Sequence, residues 1–102
     1  MTYEELVDDL VAQNADVQAT KMMGMPSLKA NGKLFAGQRG DDMVFKLGGD
    51  DHARALALEG AHLFEPMAGR QMKEWVVVPN ALSNEWAALA EAALRYAGGG
   101  GG

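Results

Sequence analysis

Ser27–Arg39 reads SLKANGKLFAGQR, two strand-like runs either side of Asn31-Gly32. Both turn residues tolerate positive φ, and Asn-Gly between such runs is a strong short-range hairpin signal. Ser27–Ala30 and Lys33–Arg39 are therefore predicted to pair as antiparallel strands. Upstream, Val17–Met23 can be extended. Gly24 with Met25-Pro26 is predicted to break or bulge that strand, because Pro26 lacks a donor and pushes Met25 toward β or polyproline geometry. Ser27 then resumes it. Downstream, Gly40-Asp41-Asp42 makes a second turn. Met43–Leu47 is a third strand, with Met43, Phe45 and Leu47 on one face and Val44 and Lys46 on the other.

Helices are predicted on both sides of these strands. Thr2-Tyr3-Glu4-Glu5 is a capping box, S/T-x-x-E, opening a helix over about residues 2 to 13. Leu6, Val7, Leu10 and Val11 form its apolar stripe, and its acidic first turns suit the positive end of the helix dipole. Asp50 or Asp51 can cap a short helix running to about Leu58, which Glu59-Gly60 ends. Leu63–Pro66 reads as a short strand, Met67–Met72 as a connection and Glu74–Pro79 as a strong strand rich in β-branched residues. Ser83 caps a last helix to about Tyr96, with Trp86, Leu89, Ala90, Ala93, Leu94 and Ala97 inward. The glycine tail, residues 98–102, has no side chain to pack and is predicted to be a flexible end.

The resulting order is α-β3-α-β2-α. Hairpin-joined strands with short loops predict an antiparallel sheet in an α+β, two-layer α/β sandwich with the helices on one face. The other face is then open to solvent or to a partner. One domain is expected over residues 1–97.

The totals suit a soluble domain: 102 residues, 48% hydrophobic, 23% charged and no cysteine. Without cysteine there are no disulfides, thiolate nucleophiles or cysteine-ligated metals. No signal peptide is visible, and no apolar run approaches the roughly 18–20 residues that cross a bilayer. A cytoplasmic location is expected. The net charge of −5 is uneven. Residues 1–16 hold five acids and no base, whereas residues 17–49 carry Lys21, Lys29, Lys33, Arg39 and Lys46 against Asp41 and Asp42. An acidic whole disfavours tight non-specific nucleic-acid binding, although these five cations leave a weaker association open. Strand-edge lysines also discourage unwanted edge pairing.

No catalytic constellation stands out. His52 and His62 lack metal-ligand spacing, and Asp50-Asp51 lacks a calcium loop around it. Ser27 and Ser83 lack a nucleophile elbow. Gly24, Gly37 and Gly40 match no phosphate-binding pattern. No catalytic residue, metal or cofactor is therefore expected. Apart from Met1, the methionines cluster at the first hairpin and on the approach to Trp75. Methionine fills irregular cores and also lines adaptable binding surfaces. A pliable groove between the first hairpin and residues 67–75 is the functional alternative to core filling. Arg70 and Lys73 flank it in sequence and could bind an anionic ligand or a partner carboxylate.

Several landmarks occur in order: Lys21-Met22-Met23-Gly24, Asn31-Gly32-Lys33-Leu34-Phe35-Ala36, Phe45-Lys46-Leu47, Phe64-Glu65-Pro66 and Met72-Lys73-Glu74-Trp75-Val76-Val77-Val78. This set resembles the TfoX (Sxy) N-terminal domain family over about residues 3 to 97. The resemblance implies a secretion-chaperone-like fold and no enzymatic activity. It also implies a link to transcriptional regulation of natural competence, in which family members act together with the CRP transcription factor. The expected function is a small interaction module that binds a protein partner or itself. Candidate partner-binding residues, taken from the matching motifs, are Lys21, Met23, Phe35, Arg70, Lys73 and Trp75. The alternatives are weak nucleic-acid association through the basic hairpin region and a small-molecule-binding domain.

Overall fold

The computed structural model describes residues 1–22 and 24–98. Helix α1 spans Tyr3–Gln13 and opens on the capping box. The Glu5 amide donates to Thr2 Oγ1 at 3.1 Å, and the Thr2 amide donates to Glu5 Oε1 at 2.8 Å. Leu6 and Leu10 are buried, but Val11 is 45% exposed, so the apolar stripe is narrower than the four residues at helical spacing suggest.

Four strands follow: β1 (Val17–Met22), β2 (Met25–Ala30), β3 (Lys33–Arg39) and β4 (Asp42–Lys46). Then come α2 (Gly49–Leu56), β5 (His62–Met67), β6 (Arg70–Val78), a 3-10 segment (Asn80–Glu85) and α3 (Trp86–Tyr96). The sheet order is β1-β2-β3-β4-β6-β5, with every pairing antiparallel. The α+β class stands, but the strand count before α2 is four, not three.

The extra strand arises at Gly24. The chain does not bulge there; it reverses, so that Met22 lies opposite Met25. Gly24 has φ +80°, a conformation that only glycine adopts without cost. Pro26 stands outside the β2–β3 pairing, which begins at Ser27 and Gly37, where a missing donor is tolerated. The irregularity lies farther on, between Leu28 and Lys29, which face Ala36 and Leu34. Phe35 is the extra residue, and both Phe35 and Ala36 reach the main core.

Residues 67–72 are also not a plain connection. Strands β5 and β6 form a hairpin closed at Gly69, φ +78°, with Met67 opposite Arg70. The Glu65 carboxylate accepts the Gly69 amide at 2.9 Å and holds this turn. The caps predicted for the two later helices are not used. Gly48 is the N-cap of α2, while Asp50 and Asp51 sit in its first turn and Asp51 pairs with Arg54. Ser83 lies within the 3-10 segment, and α3 starts at Trp86 without a side-chain cap.

Period-2 alternation divides the strand residues between two apolar clusters. The main cluster joins Leu28, Phe35, Met43, Phe45, Val76 and Val78 to Leu6 and Leu10 of α1, Ala55 of α2, and Trp86, Ala90 and Leu94 of α3. The second comprises Val44, Phe64, Trp75 and Val77, with Met22, Met25, Leu34 and Met72 packed against it. It contains no helix residue among the described ones. It is roofed by its own long side chains; a Cβ on Gly37 would meet Met25 Cε at 3.4 Å. Met43 lies in the main core, and Met22, Met25 and Met72 pack against the second cluster, so these four methionines fill apolar clusters.

Candidate functional site

The start of β6 is fixed from the helix side. His52 Nε2 donates to the Lys73 carbonyl at 2.7 Å, tying α2 to this strand. The Leu47 amide donates to the Glu74 carbonyl at 2.8 Å. The Tyr96 hydroxyl of α3 donates to the Glu74 carboxylate, and that bond is the largest cause of a tyrosine pKa raised above its ordinary value. Backbone and Glu74 are thereby held, while the Lys73 side chain remains exposed.

Two adjoining recesses follow the outer side of this segment. One, about 650 Å³, lies at the β5–β6 hairpin between Glu65-Pro66-Met67 and Arg70–Lys73. The other, about 480 Å³, is lined by Lys46, Met72, Lys73, Glu74 and Trp75. Met72 and Lys73 line both recesses, which are joined at these two residues; Met67 and Arg70 line only the first, and Lys46 and Trp75 only the second. Register brings Lys46 into the set, since it stands directly opposite Trp75 in the β4–β6 pair. Met67 is 63% exposed at the hairpin, whereas Trp75 is 6% exposed and forms a firm floor.

The local charges are unequal in their engagements. Glu65 accepts the Gly69 amide and Glu74 accepts the Tyr96 hydroxyl. Lys46, Arg70 and Lys73 have no side-chain hydrogen bond or ion pair among the described residues. The site therefore presents three cations outside any ion pair among the described residues, against two carboxylates, beside Met67, Met72 and Trp75, an arrangement that can hold a carboxylate beside apolar groups. Among the described residues, no group of three or more His, Asp or Glu side chains could hold a metal ion. No described helix is long and apolar enough to cross a membrane.

Of the residues singled out by sequence, Lys73 lines both recesses, Arg70 the one at the hairpin and Trp75 the other. Phe35 is fully buried in the main cluster. Lys21 is exposed on β1, at the far edge of the sheet, opposite Pro26. Met23 lies outside the described residues. Sequence reading assigned Lys46 to the hairpin cations and missed its place beside Trp75. The five cations of that hairpin region do not share a face. Lys29, Arg39 and Lys46 align with second-cluster positions, and the Arg39 guanidinium lies 5.3 Å from the Phe64 ring centroid. Lys21 and Lys33 align with Pro26 and Ala30 in the alternate register.

Comparison with curated proteins and with solved structures gave no match. The TfoX N-terminal domain family matches residues 9–97, from within α1 to the C-cap of α3. That span contains all six strands and both recesses, and the chain belongs to the TfoX N-terminal domain family.

Proposed function

We propose that this domain is a small, non-enzymatic, cytoplasmic interaction module that binds a protein partner along the start of β6. The carrying observation is the pair of recesses joined at Met72 and Lys73, with Met67 and Arg70 lining one and Lys46 and Trp75 the other. Large apolar side chains beside arginine make the kind of surface on which binding energy concentrates. The methionines let it repack around a partner. Family membership supports a regulatory setting, and the partner is proposed to belong to transcriptional control of competence.

Self-association of the second face against itself is the weaker form of this reading. It would set Lys29, Arg39 and Lys46 of one copy against the same residues of the other, and like charges brought together oppose binding. Nucleic-acid association is disfavoured by the division of the five basic residues between alternate registers.

A photo-crosslinking residue at Met67 tests the proposal, with one at Ala88 on α3 as the control. Native lysate should yield a discrete protein adduct from Met67 and none of that size from Ala88. Arg70→Ala with Lys73→Ala should remove the adduct while the melting temperature holds. Equal adduct with the double variant, or none from Met67, would refute the assignment.

A further inference from the structure

The charges of this molecule are segregated by element. Seven of its nine lysines and arginines lie on strands: Lys21, Lys29, Lys33, Arg39, Lys46, Arg70 and Lys73. The helical segments carry eight of the fourteen acids and only Arg54 and Arg95 in return. An acidic protein thus carries a cationic sheet, and three of those cations line the two joined recesses, Arg70 in one, Lys46 in the other and Lys73 in both. Glu65 and Glu74 line the same recesses and keep their charge while accepting from the Gly69 amide and the Tyr96 hydroxyl, so the cations exceed the carboxylates there by one, and no ion pair joins the two sets among the described residues.

From this we infer that the segment bound at the recess is an acidic peptide carrying large apolar side chains. The inference rests on the partner-binding reading and adds the partner's chemistry. Carboxylates on the peptide would meet Arg70, Lys73 and Lys46; arginine offers a paired-donor fork for one carboxylate, and the lysines act as point charges. The apolar side chains would lie on Met67 and Met72 above Trp75. A nucleic acid would satisfy the cations alone. Binding of single strands relies on exposed aromatic platforms for base stacking, and Trp75 and Phe64 are only 6% and 1% exposed. The exposed Met67 would have no role with such a ligand. A helix of a second copy brings acids without a matching apolar stripe, since Val11 is the single large exposed hydrophobe on α1.

The test is a display selection of random peptides on the immobilised domain, with a duplex and a single-stranded oligonucleotide as competitors. Selected peptides should be enriched in Asp and Glu together with Leu, Phe or Met. Lys46→Glu, Arg70→Glu and Lys73→Glu should each weaken the best peptide by about tenfold or more, as loss of one charge-assisted hydrogen bond implies. Lys29→Glu, outside the recess, should leave binding unchanged. Neutral or basic consensus peptides, no enrichment, unchanged binding in the recess variants, or displacement by either oligonucleotide would each overturn the inference. If the Met67 adduct forms on a partner segment that is not acidic, the peptide chemistry fails and the module reading survives. If no Met67 adduct forms, the module reading itself fails.

Discussion

Two glycines show that a missing side chain can answer to different demands. Gly24 has φ +80° and nothing within 4 Å of where its Cβ would stand. The demand there is conformational alone. Gly24→Ala should cost about 1–2 kcal/mol, the penalty for an L side chain in the left-handed region, and Gly24→Asn should cost less. Urea midpoints check both; an alanine variant as stable as the parent would show that this turn is not glycine-dependent. Gly48 has φ −140°, an extended backbone open to any residue. Its demand is space, because an added Cβ would lie 2.8 Å from Tyr96 Cζ and closer still to Cε1. The ring over Gly48 brings the Tyr96 hydroxyl to Glu74, whose hydrogen bond, followed by burial and then the carboxylate charge, raises the tyrosine pKa. A raised native pKa means a contribution fully present below the unfolded value of about 10 and lost as pH rises through the native one. Stability should fall on the alkaline side for the parent and fall less steeply for Tyr96→Phe. Gly48→Ala should behave like Tyr96→Phe over that range, because it displaces the same ring. Denaturation at a series of alkaline pH values reads all three.

The cap and bounds of helix α1 were readable because their signal is local. Thr2 and Glu5 are three residues apart, and both capping bonds form. Thr2→Ala should cost about 1 kcal/mol. The bonds from Thr2 hold the Glu5 carboxyl below its ordinary value. A lowered native pKa means a contribution present above the unfolded value and lost as pH falls through the native one. Glu5→Gln should therefore flatten the acid side of the stability profile, measured by urea melts from neutral to acid pH. Strand hairpins were legible only where the turn carried two telling residues. Asn31-Gly32 did, whereas Gly24 and Gly69 each stand as a lone glycine without Asn or Asp before it. Pro26, close behind Gly24, made an interruption the simpler reading. The site was legible in part for the same reason. Arg70, Lys73 and Trp75 are close in sequence, and Arg70 and Lys73 had no evident structural task. Lys46 reaches Trp75 only because β6, rather than the next strand β5, pairs with β4. Chain order favours neighbours in sequence, so that partner could not be read from local pattern.

One sheet with apolar residues on both faces gives the molecule two separable loads. The main cluster locks the helices to the strands, and Phe35 sits in it at the extra position of the β2–β3 irregularity, fully buried. The joined recess lies against the second cluster, where Met72 and Trp75 pack with Val44, Phe64 and Val77. Its cations touch no partner among the described residues, so removing them leaves no buried charge uncompensated. Fold and binding should therefore respond to different substitutions. Phe35→Ala removes a buried aromatic and should cost about 3–5 kcal/mol, a large part of the 5–15 kcal/mol typical of a domain. It should lower the urea midpoint sharply and weaken capture only through the unfolded fraction. Lys46→Glu combined with Lys73→Glu should change stability by no more than about 0.5 kcal/mol while removing capture. Urea melts with crosslinking yield from the Met67 probe, measured on the same samples, separate the two effects. The idea of separate loads fails if the charge-reversed variant unfolds with Phe35→Ala, or if Phe35→Ala, under conditions where it remains folded, loses capture as completely as the charge reversal does.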